Sequence, residues 1–259
     1  MKLILLVGLL AISTTVFAQR SIPVGTVLPV KLETSLSMKS TPGQLVKARI
    51  MQDVPIGNGS MIYAGAKVTG HVVTVAPNGA GRGSEISLTF DQLVISHHTV
   101  PIKTNLRALA STMEVDDAGL PDTGPDRGTP PTAYTTTQVG SDEVVYRGGG
   151  HVVNTSEEVV GEPVPPDGVL ARVLPNLTEG CRGQMIDNEL PQALWIFSSD
   201  ACGVYGYPHL RIINSGRSDP LGQIVLAADQ SKLNVRYGSA MLLRIIAADQ
   251  VGLQAPKHS

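Results

Sequence analysis

From Ile22 to Leu109, apolar residues recur at every second position in short runs, and turn residues end each run before it reaches the length of a helix. Val24-Gly25-Thr26-Val27-Leu28-Pro29-Val30-Lys31-Leu32 places Val30 and Leu32 on one face of a strand. Pro29 has no backbone donor, which predicts a sheet edge or a bulge there. Ser40-Thr41-Pro42-Gly43 is turn chemistry, and Val46-Lys47-Ala48-Arg49-Ile50 is the next strand. Asn58-Gly59 predicts a tight turn, because both residue types tolerate positive φ. Ile62 to Val75 reads as one or two strands around Gly70, and Asn78 to Gly83 as a Gly-rich connection. Ile86 to Phe90 alternates cleanly. Leu93-Val94-Ile95 and Val100-Pro101-Ile102 predict a hairpin with His97-His98 at its tip. A period of two maintained this way predicts an all-β, barrel-like core, with a first β segment over 19–111.

At residue 112 the pattern breaks. Asp116, Asp117, Asp122 and Asp126 appear, with many Thr and Gly and with Pro121, Pro125, Pro130, Pro131, Pro163, Pro165 and Pro166. So little apolar surface cannot offset the entropy of ordering, so 112–166 is expected to be a disordered or loosely ordered polar insertion. Val144-Val145-Tyr146 and His151-Val152-Val153 suggest a local hairpin inside it. Strand grammar resumes over 167–259, at Val169–Val173, Leu210–Ile213, Gln223–Leu226, Leu233–Tyr237 and Met241–Ile246, which either completes or flanks the barrel. A faint echo runs through both segments. Gly25-Thr26, Gly65-Ala66 and Gly238-Ser239 each place a Gly and a small residue just before an apolar strand.

The amino terminus predicts export. Lys2 precedes the apolar Leu3–Leu10, and Val16 and Ala18 stand three and one before a cut that would leave Gln19 first, making 1–18 a signal peptide. Spanning a bilayer takes roughly 20 apolar residues, and no later stretch is that long, so no transmembrane helix is expected after cleavage. The protein is therefore expected in the periplasm, the outer envelope or outside the cell. A formal charge of −2 without a basic run argues against a nucleic-acid partner. In an oxidising compartment the two cysteines, Cys181 and Cys202, are most simply a disulfide. A metal site would need further ligands, and a redox pair would usually be C-x-x-C.

Catalytic signals are thin. Adjacent His97 and His98 point to opposite faces of a strand, and His71, His151, His209 and His258 are scattered. The four aspartates of the insertion lack calcium-loop spacing. Gly79-Ala80-Gly81-Arg82-Gly83 is followed by a strand pattern and has no P-loop Lys. G-x-S-x-G is absent, and Glu157, Glu158 and Glu162 lie where preorganised acids are not expected. No catalytic residue, metal ligand or cofactor is assigned. The possible ligand surface is aromatic: Trp195, Tyr205 and Tyr207, near Cys202, although buried aromatics mostly serve cores.

Ile22-Pro23-Val24-Gly25-Thr26-Val27-Leu28-Pro29-Val30 resembles the opening strand of the TrbI-like β-barrel domain of conjugation and type IV secretion core complexes. Leu32–Leu36, Val46–Arg49, Gln52-Asp53-Val54, Ile62–Gly70 and Phe90–Leu93 continue the likeness. It spans about residues 22–109, and beyond that only Val235–Ile246 is suggestive. The resemblance implies a barrel and an envelope setting. The family's membrane helix, proline-rich stalk and helical hairpin have no evident counterpart here. The expected function is a non-enzymatic structural or interaction module, partnered by other envelope proteins or by itself. A glycan or small-ligand binding module is the alternative, and a hydrolase with an unrecognised site is a third reading.

Overall fold

The computed structural model describes residues 20–77, 83–95, 98–118, 133–140, 143–147, 150–154, 156–164, 168–173, 190–229, 233–248 and 250–251. Its centre is a closed antiparallel barrel of six strands. These are β1 (Val27–Leu32), β2 (Leu45–Ile50), β3 (Lys67–Pro77), β4 (Ser84–Ile95), β5 (His98–Ala110) and a last strand, Ala240–Ala248, that enters between β5 and β1. The ring closes because β4 and β5 form the expected hairpin, with Ile95 opposite His98. The final strand then pairs Leu243 with Leu28 on one side and with Leu106 on the other. His97 lies outside the described residues, and His98 is exposed on β5.

Pro29 corrects one expectation. β1 is paired on both sides, so Pro29 is at no edge. The ladder between β1 and β2 begins at Val30 opposite Ile50, and the Pro29 carbonyl accepts the Met51 N–H at 3.1 Å. The missing donor therefore falls where β2 stops, which costs the sheet almost nothing.

The barrel is filled. Leu28, Val30 and Leu32 from β1, with Ile86, Leu88, Phe90 and Leu93 from β4, are among the buried residues of one core. Each such side chain contributes about 1.5–3 kcal/mol by leaving water. Two small ribbons cover its ends. Leu36–Ser37 pairs with Asn234–Val235 beside the end of β1, and Val54–Pro55 pairs with Met61–Ile62 beyond the end of β2. Leu36, Val235, Val54 and Ile62 are fully buried in the same core. Between the latter two strands, Asn58 and Gly59 both adopt positive φ, as the sequence predicts.

The glycine echo is more regular than the sequence suggests. Gly25, Gly43, Gly65, Gly222 and Gly238 all have φ between 81° and 95°. In each case the residue after the glycine donates its N–H to the carbonyl three positions back, closing a type II turn at Pro23, Thr41, Tyr63, Pro220 and Arg236. A strand begins two residues after each glycine. Only a residue without a Cβ takes this conformation without strain. The position before each glycine points outward, which accounts for the exposure of Val24, Leu221 and Tyr237.

The outer wall of the barrel is not uniform. On β3 and β4 it is polar, with Thr69 facing Gln92 and Thr74 bonded to Ser87 at 2.7 Å. Over β1, β5 and the last strand it is apolar: Val27, Ala108, Ala110, Ala240 and Leu242 belong to a second buried core. Strands buried on both faces read as near-continuous apolar runs, as Ala240-Met241-Leu242-Leu243 does. The cover comes from the middle of the chain. Within the 112–166 insertion, expected to be disordered or loosely ordered, the described residues form α1 (Thr112–Ala118) and β6 (Ala133–Thr137), β7 (Glu143–Arg147), β8 (Val152–Asn154) and β9 (Val159–Val164). The predicted local hairpin is β7 with β8. With β10 (Gly168–Ala171) and β11 (Gln192–Ala193) these strands make a six-stranded meander. Val115, Val139, Val152 and Ala171 from this region reach the second core, and the ladder hydrogen bonds satisfy a backbone too polar to bury alone. Three further strands flank the ring: β12 (Gly203–Tyr205) lies parallel to the end of β5, while β13 (Leu210–Ser215) pairs with β14 (Ile224–Ala228), which borders β4. The last barrel strand is β15.

Candidate functional site

The chemistry-bearing side chains gather at the end of the barrel where β1 finishes and β15 begins. Trp195 sits in the turn after β11, where the Phe197 N–H donates to the Leu194 carbonyl at 3.1 Å. Its φ of 55° lies in the left-handed region, which costs a non-glycine residue about 1–3 kcal/mol. Packing holds it there: Trp195 is 8% exposed in the second core, and Lys31 Nζ stands 5.9 Å from its ring centroid. Tyr205, on β12, is packed against the same core. Its hydroxyl donates to the Cys202 carbonyl and accepts the Cys202 N–H, both at 2.9 Å. Tyr207 packs against the barrel core instead, and its hydroxyl meets Ser239 Oγ at 2.6 Å.

The three aromatics singled out by sequence thus share one end of the barrel without forming a platform. The Tyr205 hydroxyl is engaged by backbone and the Tyr207 hydroxyl by a neighbouring hydroxyl. Tyr207, and Trp195 through Lys31, flank the Arg236–Ser239 turn, whose Tyr237 is 64% exposed. That turn is held rigidly. Tyr237 N–H donates to Ser35 Oγ at 2.8 Å, Gly238 N–H to the Leu32 carbonyl at 2.9 Å, and Leu32 N–H to the Ser239 carbonyl at 2.8 Å. A Cβ on Gly238 would stand 3.1 Å from Thr112 Cγ2 and 3.8 Å from Lys31 Cε, so α1, β1 and the turn meet here. Met113, the next residue of α1, is 73% exposed. Sequence reading missed Tyr237 because only the turn type places its side chain outside.

Further along β5 and β15, toward the start of β1, lies a group of arginines that the sequence did not announce. Arg107 is the extra residue of a bulge in β5, since Leu242 faces Ala108 while Leu243 faces Leu106. The bulge turns its guanidinium onto the loop before β12, where Nε donates to the Ala201 carbonyl at 2.8 Å and Nη2 to the Ser199 carbonyl at 3.0 Å. Burial, then the neighbouring Arg244, push its pKa down to about 10, while Asp200 and Tyr205 oppose the shift. Arg244 and Arg217 are also lowered by burial. Burial raises the Tyr205 pKa. Arg107 and Tyr205 bind carbonyls of the 199–202 segment and hold it in place. None of these groups is a nucleophile paired with a base.

Elsewhere, His71 Nδ1 lies 3.0 Å from Asp91 Oδ2 on the polar wall, with Thr89 Oγ1 3.3 Å from the same carboxylate oxygen. The pair is exposed, and a surface pair of this kind contributes about 0–1 kcal/mol. His151 is 3.5 Å from Glu162, and His209 stands in the turn before β13. Among the described residues, no group of three His, Cys, Asp or Glu side chains is placed to hold a metal ion. No helix among them is long and apolar enough to cross a membrane. Cys181 and residues 1–18 lie outside the described residues. No family model matches the chain, and no curated protein matches it either.

Proposed function

We propose that this chain is an exported, non-enzymatic structural or interaction module of the cell envelope or the secreted space. The observation that carries the reading is the filled barrel covered at both ends, with its chemistry-bearing side chains engaged in holding backbone and a rigid aromatic turn presented outward. A filled barrel offers its outer surface to a partner and no lumen to a ligand. The export signal and the TrbI-like likeness of 22–109 point to an envelope setting. That likeness extends to the one later strand, Val235–Ile246, that overlaps β15. A Cys181–Cys202 disulfide, ordinary in such a compartment, belongs to the same reading.

Cross-linking in the native envelope, followed by capture and mass spectrometry, tests it. Recovery with other envelope proteins, or as cross-linked multimers of itself, supports the reading. Recovery as an uncross-linked single chain overturns it. The alternative, a glycan-binding module, draws on Tyr237 as an exposed aromatic. Binding on a glycan array that disappears in Tyr237→Ala would favour that alternative.

A further inference from the structure

We infer that the Tyr237–Met113 patch at the end of the barrel is a self-association surface that takes a second copy of this chain. The inference rests on the reading of the protein as an interaction module. Tyr237 and Met113 are two of the most exposed large apolar side chains among the described residues, and each adjoins in sequence one of the pair Gly238 and Thr112, which meet here. Exposed apolar side chains grouped in this way mark contact sites more often than the same residues scattered singly.

The turn requires outward placement at position 237 but not an aromatic; the equivalent positions of the other four turns hold Val24, Pro42, Ala64 and Leu221. Tyr237 is therefore the odd member of a repeated set. It is mounted on a turn braced through Ser35, Leu32 and Tyr207, as a contact that must keep its position requires.

Charge selects the occupant. The Tyr237 side of the patch is flanked by the cations Lys31 and Arg236, and the Met113 side runs along α1 to the exposed Asp116 and Asp117. A one-signed partner would meet repulsion at one end. A second copy related by a twofold axis lays the basic end of each chain on the acidic end of the other, with the apolar pair at the centre.

Sedimentation equilibrium of the purified full chain over a wide concentration range is the test. The expected result is an average mass rising toward twice the monomer. Tyr237→Ala should weaken association about tenfold or more. The charge variants D116K/D117K and K31E/R236E should each be monomeric, while their equimolar mixture should dimerise. Asp116, Asp117, Arg236 and Tyr237 are exposed and Lys31 is half-buried beside Trp195, so unchanged circular dichroism is required to show the folds intact. A monomer at every concentration, dimerisation of either charge variant alone, or a mixture that stays monomeric would overturn the inference. If the protein is monomeric yet cross-links to other envelope proteins, this inference falls and the interaction reading stands. If it also cross-links to nothing, both fall.

Discussion

Gln192 Oε1 accepts the backbone N–H of Val27 at 2.9 Å, joining residues that stand 165 positions apart in the chain. β2 ends at Ile50, so the ladder that would otherwise receive this donor stops short of Val27. The side-chain amide of the covering meander takes its place, and Gln192 Nε2 is itself tied to the Leu190 carbonyl at 2.8 Å. Gln192→Leu would leave a buried donor without a partner, which costs about 1–3 kcal/mol. The expected result is a lower urea midpoint with an unchanged slope, since the compactness of both states is preserved.

A second glutamine makes the reverse connection. Gln52, fully buried at the end of β2, donates through Nε2 to the Val169 carbonyl at 3.2 Å. Its Oε1 presses against Gly168, on the side where a Cβ would emerge. Gly168→Ala should therefore destabilise by about 1–3 kcal/mol through overpacking. In a Gln52→Ala background the added methyl should cost far less. A double-mutant cycle by chemical denaturation measures that coupling, and additive effects would contradict the geometry.

Arg107 holds the 199–201 loop with two carbonyl bonds from one planar fork. Lysine cannot reproduce that fork. Arg107→Lys should lose about 1–3 kcal/mol although it keeps the charge. Amide hydrogen exchange should accelerate first at Ser199–Cys202 and leave β3 unchanged.

Tyr205 gives a pH signature. Its folded pKa is raised, chiefly by burial, so its contribution is complete below the ordinary tyrosine value of 10.0 and is lost as pH climbs through the higher folded value. Arg107 works oppositely. Its folded pKa near 10 lies under the ordinary arginine value, so stability gains as pH rises above about 10. The Tyr205 part is isolated by difference. Tyr205→Phe should be less stable than wild type by about 1–2 kcal/mol at neutral pH, where the Cys202 backbone loses its partner. The gap should narrow as wild-type Tyr205 ionises in alkali. Thermal unfolding of both proteins from neutral to alkaline pH reads this directly.

The proposed Cys181–Cys202 bridge would close a loop of roughly 20 residues and contribute on the order of 3 kcal/mol. Alkylation of unreduced, denatured protein should label neither cysteine, and Cys202→Ser should lower the midpoint by about as much as reduction does. Labelling of both cysteines in oxidised, exported protein would rule the bridge out.

Strand positions were legible because their signals are local. The alternation in Ile86–Phe90, the Asn58-Gly59 turn and the glycines before β1, β3 and β15 depend only on a residue and its near neighbours. Local signals fail where partners are remote. Pro29 suggested an edge, but only ring closure shows that its missing donor meets the end of β2. The docking of Val115, Val139 and Val152, described residues of the 112–166 segment, was not legible, because the apolar wall that receives them belongs to strands elsewhere in the chain. At the candidate site, sequence proximity to Cys202 brought forward Trp195, Tyr205 and Tyr207, which the structure engages in packing and backbone hydrogen bonds.

By itself the sequence determined the all-β class, the turns and the strands, since backbone propensity and side-chain period act over a few residues. Only the tertiary structure decided that β15 closes the ring, that Arg107 is turned onto the 199–201 loop by a bulge, and that Tyr237 is left in solvent at this end of the barrel. Those outcomes depend on register and burial, which are set by which distant strands meet.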